Sequence, residues 1–117
     1  MSARGTESTR VQLCGRLSVE LGGLQRADRL RGRQVRLLLA YLLLNRERPV
    51  GRDELMGALW PDHVPVSRDA ALRTLLSRLR SALGTGVLSG RDELILTLPE
   101  PVWVDLEAAS LELQRAM

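Results

Sequence analysis

Arginines and small hydroxylated residues share one side of a predicted helix in the second half of the chain. At 100° per residue, this side carries Arg73, Thr74, Ser77, Arg78, Arg80 and Ser81, with Ala70 among them. No acidic residue occurs between Arg73 and Ser81. Arginine can bind a guanine edge bidentately or hold a phosphate, and small residues let a helix backbone come close to a ligand. This combination is what a helix in the major groove of DNA needs.

The other side of the same helix is a leucine ridge. Its members fall within an arc of about 120°, and they are Leu72, Leu75, Leu76, Leu79, Ala82 and Leu83. Such a helix packs its ridge against a core and exposes its arginines. A solvated helix surface is the alternative interpretation. Solvated surfaces more often pair Glu with Arg four residues apart, and those pairs are missing here.

A predicted hairpin after this helix brings a further arginine. Val87 to Leu98 indicates two strands around the polar tip Ser89-Gly90-Arg91-Asp92-Glu93. In a wing beside a DNA-binding helix, Arg91 would reach the minor groove or the phosphate backbone. An ordinary polar turn is the alternative, and the two acids beside Arg91 weaken its attraction to phosphate. Arg91 is therefore a weaker candidate than the helix residues.

The composition limits the classes of function. The chain has 117 residues, 44% of them hydrophobic and 26% charged, as expected for one globular domain. Only 3% are aromatic, so the core must be aliphatic. All 17 basic residues are arginine, and the net charge of +3 favours an anionic partner, nucleic acid first.

Catalysis, metal binding and membrane insertion have little support in the sequence. Cys14 and His63 are the one cysteine and the one histidine, too few for an internal disulfide or a usual zinc site. We expect Cys14 to be a small buried residue and His63 to be solvated in a loop. No Ser/His/Asp set, glycine-rich phosphate loop or metal-ligand cluster is present, so we expect no enzymatic activity, no cofactor and no small-molecule substrate. The longest apolar run, 37–44, is too short to span a bilayer and no signal peptide is visible, so we expect a soluble cytoplasmic protein.

The elements before the arginine-bearing helix follow from hydropathy patterns. Residues 1–10 are polar and small, and we expect a loose tail. Apolar residues alternate imperfectly from Val11 to Leu21, which predicts a strand with a bulge at Gly15. A turn at Gly22-Gly23 and a returning strand over residues 24–30 complete a small sheet.

Two helices are predicted next. Residues 33–47 form the first, which is closed by Pro49. This helix is apolar nearly all round in its middle, which indicates burial. Gly51 is expected to cap the second helix, whose first turn holds Asp53 and Glu54, where the helix dipole favours acids.

The third helix and the segments after it are predicted from caps and breakers. Ser67 is expected to cap the helix, which runs to about Leu83 and stops at Gly84. Two prolines, at 99 and 101, are expected to break the sheet, and Trp103 to anchor the final segment. Residues 105–117 show a short helical pattern, which we interpret as the start of a helix leading to a further domain.

The densest basic stretch runs from the predicted returning strand into the first helix. It consists of the arginines at 26, 29, 31, 33 and 36. It could face phosphates, but a solvated strand edge that resists aggregation is an equally good interpretation.

Taken together, these segments resemble a known family. The segments 32–40, 50–60 and 72–84 resemble the OmpR/PhoB-type winged-helix DNA-binding domain. Within that family they are most similar to the Streptomyces antibiotic regulatory protein (SARP) group of bacterial transcription activators. Val104-Asp105-Leu106 resembles the beginning of that group's following helical domain. The resemblance implies an α/β (α+β) fold over residues 11–104: a winged helix-turn-helix with a small N-terminal β-sheet, three helices and a C-terminal β-hairpin wing.

The resemblance also implies a role for individual residues. The family's recognition-helix contacts fall on Arg73 and Thr74, which would face bases, on Arg80, which would contact a phosphate, and on Ser77 and Arg78. Trp60 corresponds to a tryptophan at the edge of a loop that packs and can touch the DNA backbone. Two features depart from the family pattern. Ala70 and Leu75 stand where many relatives have a polar or basic residue and a histidine, and Glu93-Leu94 replaces the usual Gly-Tyr of the wing.

We therefore predict sequence-specific binding of duplex DNA by the N-terminal domain of a bacterial transcriptional regulator, an activator. RNA polymerase is the expected protein partner, and pairing on direct-repeat DNA sites is expected; no membrane is involved. The departures from the family pattern leave a second hypothesis open, a winged-helix protein-interaction module that docks an acidic partner on its arginine side.

Overall fold

A computed structural model describes residues 8–14, 16–62 and 65–107. The chain divides into two compact units, one formed by Met1–Arg29 with Leu98–Met117 and the other by Leu30–Thr97. In chain order the elements are β1 (Thr9–Gln12), β2 (Ser18–Leu21), β3 (Leu24–Gln25), a 3-10 turn (Ala27–Arg29), α1 (Arg33–Leu44), β4 (Val50–Gly51), α2 (Arg52–Leu59), α3 (Arg68–Leu83), β5 (Leu88–Ser89), β6 (Glu93–Leu96) and β7 (Val102–Val104).

The first unit is a four-stranded sheet in the order β3-β2-β1-β7. β1 runs antiparallel to β2 and parallel to β7. Period-two alternation places Val11, Val19, Leu21 and Val104 on its buried face. The outer face carries a stacked pair, because the guanidinium carbon of Arg10 lies 4.0 Å from the centroid of the Trp103 ring.

The beginning of the chain differs from the expected loose tail. β1 already starts at Thr9, which is 2% exposed. The hydroxyl of Thr9 donates to the carbonyl oxygen of Pro99 at 2.7 Å, and its amide donates to that of Pro101 at 2.9 Å. These hydrogen bonds satisfy a polar residue inside the sheet, so the tail prediction was wrong for Thr9 and Arg10.

The predicted single strand from Val11 to Leu21 is in fact two antiparallel strands joined by a turn. After β1, the amides of Leu13 and Cys14 bond to the carboxylate of Asp105, at 2.9 and 2.8 Å, instead of to a neighbouring strand. The strand therefore ends at Gln12. Gly15, where a bulge was predicted, lies outside the described residues, as does His63.

Cys14 and the returning strand also differ from expectation. Cys14 is exposed in the turn after β1, not buried. Partial desolvation and the neighbouring Asp105 carboxylate raise the pKa of its thiol, which disfavours the reactive thiolate. The returning strand is only β3, because the side-chain oxygen of Gln25 accepts from the amides of Val19 and Ala27 and turns the chain into the 3-10 segment.

The second unit packs three helices on a small sheet with the order β4-β6-β5. Its core is aliphatic, as the composition predicted, and the fully buried leucines are Leu30, Leu38, Leu39, Leu42, Leu43, Leu55, Leu72, Leu76, Leu79 and Leu94. The hairpin of β5 and β6 buries Leu94 and Leu96 on one face, as its alternation predicted. One residue at each end of the predicted tip, Ser89 and Glu93, belongs to a strand, so the wing tip itself is Gly90–Asp92.

α1 is shorter and less buried than predicted. It ends at Leu44. The helix is amphipathic, because Leu37 and Leu44 are 43% and 45% exposed. The other helices and β6 pack against α1, and its buried side chains include Leu38 and Leu42. Burial nearly all round was therefore wrong.

The signals at helix ends were largely correct. Gly51 is the N-cap of α2, with Asp53 and Glu54 in the first turn. Ser67 occupies the N-cap position of α3, but its side chain makes no capping hydrogen bond. Gly84 ends α3 with φ +96°, a conformation that suits glycine.

Two short strands were not predicted. β4 pairs antiparallel with β6, with Val50 opposite Leu94. β7 follows the two prolines, which end one sheet but do not prevent the chain from joining the other. From Asp105 the backbone is helical up to Glu107, and the rest of the predicted helix lies outside the described residues. Within the described part of the chain, no helix is both long and apolar enough to cross a bilayer.

Candidate nucleic-acid interface

α3 exposes the side that its pattern predicted. The six residues of the leucine ridge are all buried, and the arginines and hydroxylated residues on the other side are all exposed. The ridge holds the helix rigidly against the core of the second unit, so the exposed side is a fixed surface.

The exposed side of α3 has a small-residue centre and arginine edges. At 100° per residue, the centre is formed by Ala70, Thr74, Ser77 and Ser81. The hydroxyl of Thr74 donates back to the carbonyl oxygen of Ala70 at 3.0 Å, which keeps this side chain low on the helix. Arg73 and Arg80 form one edge, and Arg78 forms the other.

An open groove of about 780 Å³ lies between the first edge of α3 and the wing. Four arginines line it, together with two acids and the glycine of the wing tip: Arg52, Arg73, Arg80, Arg91, Asp69, Asp92 and Gly90. Among the described residues, none of these arginines forms an ion pair with an acid. Their charges therefore remain available to an anionic ligand.

The wing tip is tied to the helices by main-chain acceptors. Arg80 donates from its guanidinium to the carbonyl oxygen of Gly90 at 2.7 Å. Arg52 donates from its guanidinium to the carbonyl oxygen of Arg91 at 3.3 Å and from its amide to that of Asp92 at 3.2 Å. These bonds fix the backbone of the wing tip, and Arg91 lines the groove.

Only glycine fits at position 90. Its φ is +100°, and a Cβ atom there would lie 1.9 Å from the carbonyl oxygen of Glu93. The turn can therefore be this tight only because residue 90 has no side chain.

The second edge of α3 meets the turn before α1. Arg78 donates from its guanidinium to the carbonyl oxygen of Arg31 at 2.5 Å. The adjacent Gly32 has φ +103°, and its Cα faces the same guanidinium, with an ideal Cβ 3.9 Å from it. Arg78 thus holds this turn beside α3.

A polar cluster supports the start of α2. Arg48 makes a bidentate ion pair with Glu54, with nitrogen–oxygen distances of 3.0 and 2.5 Å, and the hydroxyl of Tyr41 donates to the same carboxylate. Hydrogen bonds from Arg48 and then from Tyr41 lower the pKa of Glu54 to about 2. The cluster joins the end of α1 to α2, which carries Arg52.

The structure brings three of the predicted site residues together in the groove, namely Arg73, Arg80 and Arg91. Thr74, Ser77 and Arg78 lie on the same exposed side of α3 but outside the groove. Trp60 is the half-buried C-cap residue of α2 and does not line the groove.

Sequence reasoning missed Arg52. Its place in the groove depends on β4, which pairs Gly51 with Glu93 and so brings the first residue of α2 to the wing. A two-residue strand has no period that could predict this. No group of three or more potential metal ligands occurs in the described part of the chain.

Comparison with known proteins places this geometry in a family. The profile described as "Transcriptional regulatory protein, C terminal" matches residues 29–101. The transcriptional regulatory protein EmbR of Mycobacterium tuberculosis (strain H37Rv) is 45% identical over 49 residues, 42% of this chain and 13% of EmbR. The regulatory protein AfsR of Streptomyces coelicolor is 49% identical over 55 residues, 47% of this chain and 6% of AfsR.

A solved structure shares the fold. Mycobacterium tuberculosis EmbR, in complex with a low affinity phosphopeptide, has a TM-score of 0.65 and 31% identity to this chain. The match covers 84% of this chain but only 27% of the EmbR chain. The chain thus spans a small part of the length of the relatives that it matches.

Proposed function

The chain belongs to the family of transcriptional regulatory protein C-terminal domains, of the OmpR/PhoB winged-helix type, and from this we propose that it reads duplex DNA through the exposed side of α3. The EmbR and AfsR matches confirm the resemblance to SARP-type regulators. The function is therefore regulatory, and catalysis has no part in our proposal.

One observation carries the proposal: the exposed side of α3 has a small-residue centre, arginine at both edges and no acid from Arg73 to Ser81. An α-helix with its side chains is about 10–12 Å across, and the major groove is about 12 Å wide. Small central residues let α3 lie deep in that groove. The arginines at its edges then meet base edges and phosphates.

We assign the contacts by position. Arg73 and Thr74 lie in the first half of α3 and face bases, while Ser77 and Arg78 follow one turn later. Arg80 contacts a phosphate and also holds the wing. 

Two residues outside α3 extend the proposed contact surface along the wing. Arg91 at the wing tip reaches the minor groove or the phosphate backbone of the DNA. Arg52 adds a positive charge in the groove between α3 and the wing. Trp60 packs at the end of α2 and can contact the DNA backbone.

The proposal extends to the whole regulator. We infer a cytoplasmic transcription activator whose winged helix positions it on a promoter and whose neighbouring surface engages RNA polymerase. Two copies would pair on direct-repeat sites.

Selection of bound sequences from a random duplex library tests the proposal. A DNA reader should enrich one half-site, and a repeated half-site with constant spacing would reveal pairing. Arg73→Ala should enrich a less defined motif, whereas the control Leu37→Ala, on the exposed face of α1, should enrich the same half-site as the unaltered chain.

The same selection distinguishes the second candidate function, docking of an acidic partner. EmbR was solved with a phosphopeptide, so that protein does bind an anionic peptide. If no sequence is enriched and affinity for all duplexes is equally weak, DNA reading is wrong and a protein-docking role becomes the better account.

A further inference from the structure

We propose that Arg31 and Arg33, in the turn before α1 and at its first residue, form a second phosphate-binding surface that contacts the DNA strand opposite the one held by the wing. This inference rests on the proposed function, because it assumes that α3 occupies the major groove. It assigns a role to two residues outside the recognition helix and outside the wing.

The turn before α1 lies beside the second edge of α3. At 100° per residue, Arg78 lies about 160° around the helix axis from Arg80. Arg80 bonds to the wing tip, and Arg78 bonds to the carbonyl oxygen of Arg31. The wing and the turn before α1 therefore lie on opposite sides of the exposed surface of α3.

A helix that fills a major groove has one sugar-phosphate backbone on each side. The wing side presents Arg52 and Arg91 to the first backbone. The turn at Arg31–Arg33 is in the corresponding position for the other.

Arg31 and Arg33 lie in a segment without negative charge. The segment 30–46 contains no acidic residue, and the first turn of α1 has none. Both Arg31 and Arg33 are exposed, and neither forms an ion pair or a side-chain hydrogen bond among the described residues.

Two neighbouring arginines differ from Arg31 and Arg33, because their guanidinium groups donate hydrogen bonds within the fold. Arg36 donates from Nε to the carbonyl oxygen of Leu30 at 3.2 Å, and Arg78 holds the turn. These two stabilise the local fold, while Arg31 and Arg33 are exposed cations without such a task. A solvated strand edge was the alternative interpretation of this basic stretch. That interpretation would not require Arg31 and Arg33 to lie beside α3.

The test compares the double variant Arg31→Ala/Arg33→Ala with Arg46→Ala, a single control beyond the other end of α1. Affinity is measured for a selected duplex and for a random one over a series of salt concentrations. The double variant should bind both duplexes more weakly by the same factor. Its salt dependence should be less steep by about one unit for each arginine that neutralises a phosphate. Arg46→Ala should leave the salt slope unchanged, and thermal unfolding of each variant establishes that it is folded.

Ethylation interference then assigns the strand. The unaltered chain should show blocked phosphates on both strands, and the double variant should lose those on one strand only. Arg91→Ala should lose phosphates on the other strand. Loss on the same strand as Arg91→Ala, or an unchanged salt slope in a folded double variant that still selects its half-site, would overturn this inference and leave the proposed function intact. Absence of sequence-selective binding by the unaltered chain would overturn both.

Discussion

The guanidinium of Arg80 on α3 donates a hydrogen bond to the carbonyl oxygen of Gly90 at the wing tip, at 2.7 Å. One side chain thus links the proposed reading helix to the wing. Arg80 still has other donors, since a guanidinium carries five N–H groups. It can hold the wing and contact a phosphate at the same time.

Arg80→Ala should weaken binding to every sequence. Loss of a phosphate contact lowers the affinity for specific and random DNA alike and reduces the salt slope by about one unit. Amide hydrogen exchange at Arg52, whose amide donates to the carbonyl oxygen of Asp92 at the wing tip, should also become faster, because the tip loses a tether. Leu44→Ala, at an exposed position at the end of α1, should change neither property. Unchanged exchange at Arg52 would mean that the Arg52 bonds alone hold the wing.

Arg73→Ala should instead narrow the difference in affinity between specific and random DNA. A bidentate contact to a base contributes roughly 1–3 kcal/mol of discrimination, and Arg73 lies in the earlier half of α3, where base contacts are proposed. Binding of both duplexes is measured at several salt concentrations, with Arg80→Ala as the comparison. If both substitutions leave binding untouched, α3 is not the reading element and the protein-docking hypothesis becomes the better account.

Local sequence signals predicted much of the reading helix but little of its surroundings. The caps at Gly51 and Gly84 and the leucine ridge of α3 are encoded within one or two helical turns, so they could be identified directly. Short strands are different, because β4 and β7 have two and three residues and show no period. Their pairing depends on partners far along the chain.

The same limit explains which site residues were found. Arg73 and Arg80 belong to a helix with a clear arc, so their exposure could be predicted. Arg52 enters the groove through the pairing of Gly51 with Glu93, and the turn at Arg31 is joined to α3 by a hydrogen bond from Arg78. Exposure of Leu37 was missed because an unbroken run of leucines does not show which face of a helix is covered.

Leu42→Ala should lower the free energy of unfolding by about 2–5 kcal/mol, because it removes a fully buried side chain and leaves a cavity. Leu44→Ala, two residues later in the same helix, is the matched control. It removes the same atoms from a site that is 45% exposed, so its loss should be much smaller. Chemical denaturation measures both, and equal losses would mean that the core of the second unit has been misplaced.

Gly90→Ala should distort the wing while the helices remain folded. An added Cβ would collide with the carbonyl oxygen of Glu93, and φ +100° is unfavourable for alanine. Affinity for DNA should fall for all sequences, since Arg91 is displaced. Gly57→Ala is the control, because a Cβ at that exposed position of α2 meets nothing within 4 Å. Equal DNA affinity in the two variants would show that the wing does not contribute to binding.

The ion pair of Arg48 with Glu54 should make the free energy of unfolding depend on pH in the acidic range. The pKa of Glu54 is lowered to about 2 in the folded chain, compared with about 4.3 in an unfolded one. Because the folded pKa is the lower of the two, the unfolded chain binds the proton more readily. The stabilisation is therefore complete above about pH 4.3 and is lost as the pH falls through 4 towards 2.

Denaturant unfolding of the unaltered chain and of Glu54→Gln across this range should give a difference in the free energy of unfolding that is largest near neutral pH and shrinks towards pH 2. A difference between the unaltered chain and Glu54→Gln that stays constant from pH 6 to pH 2 would show that Glu54 does not titrate with this lowered pKa.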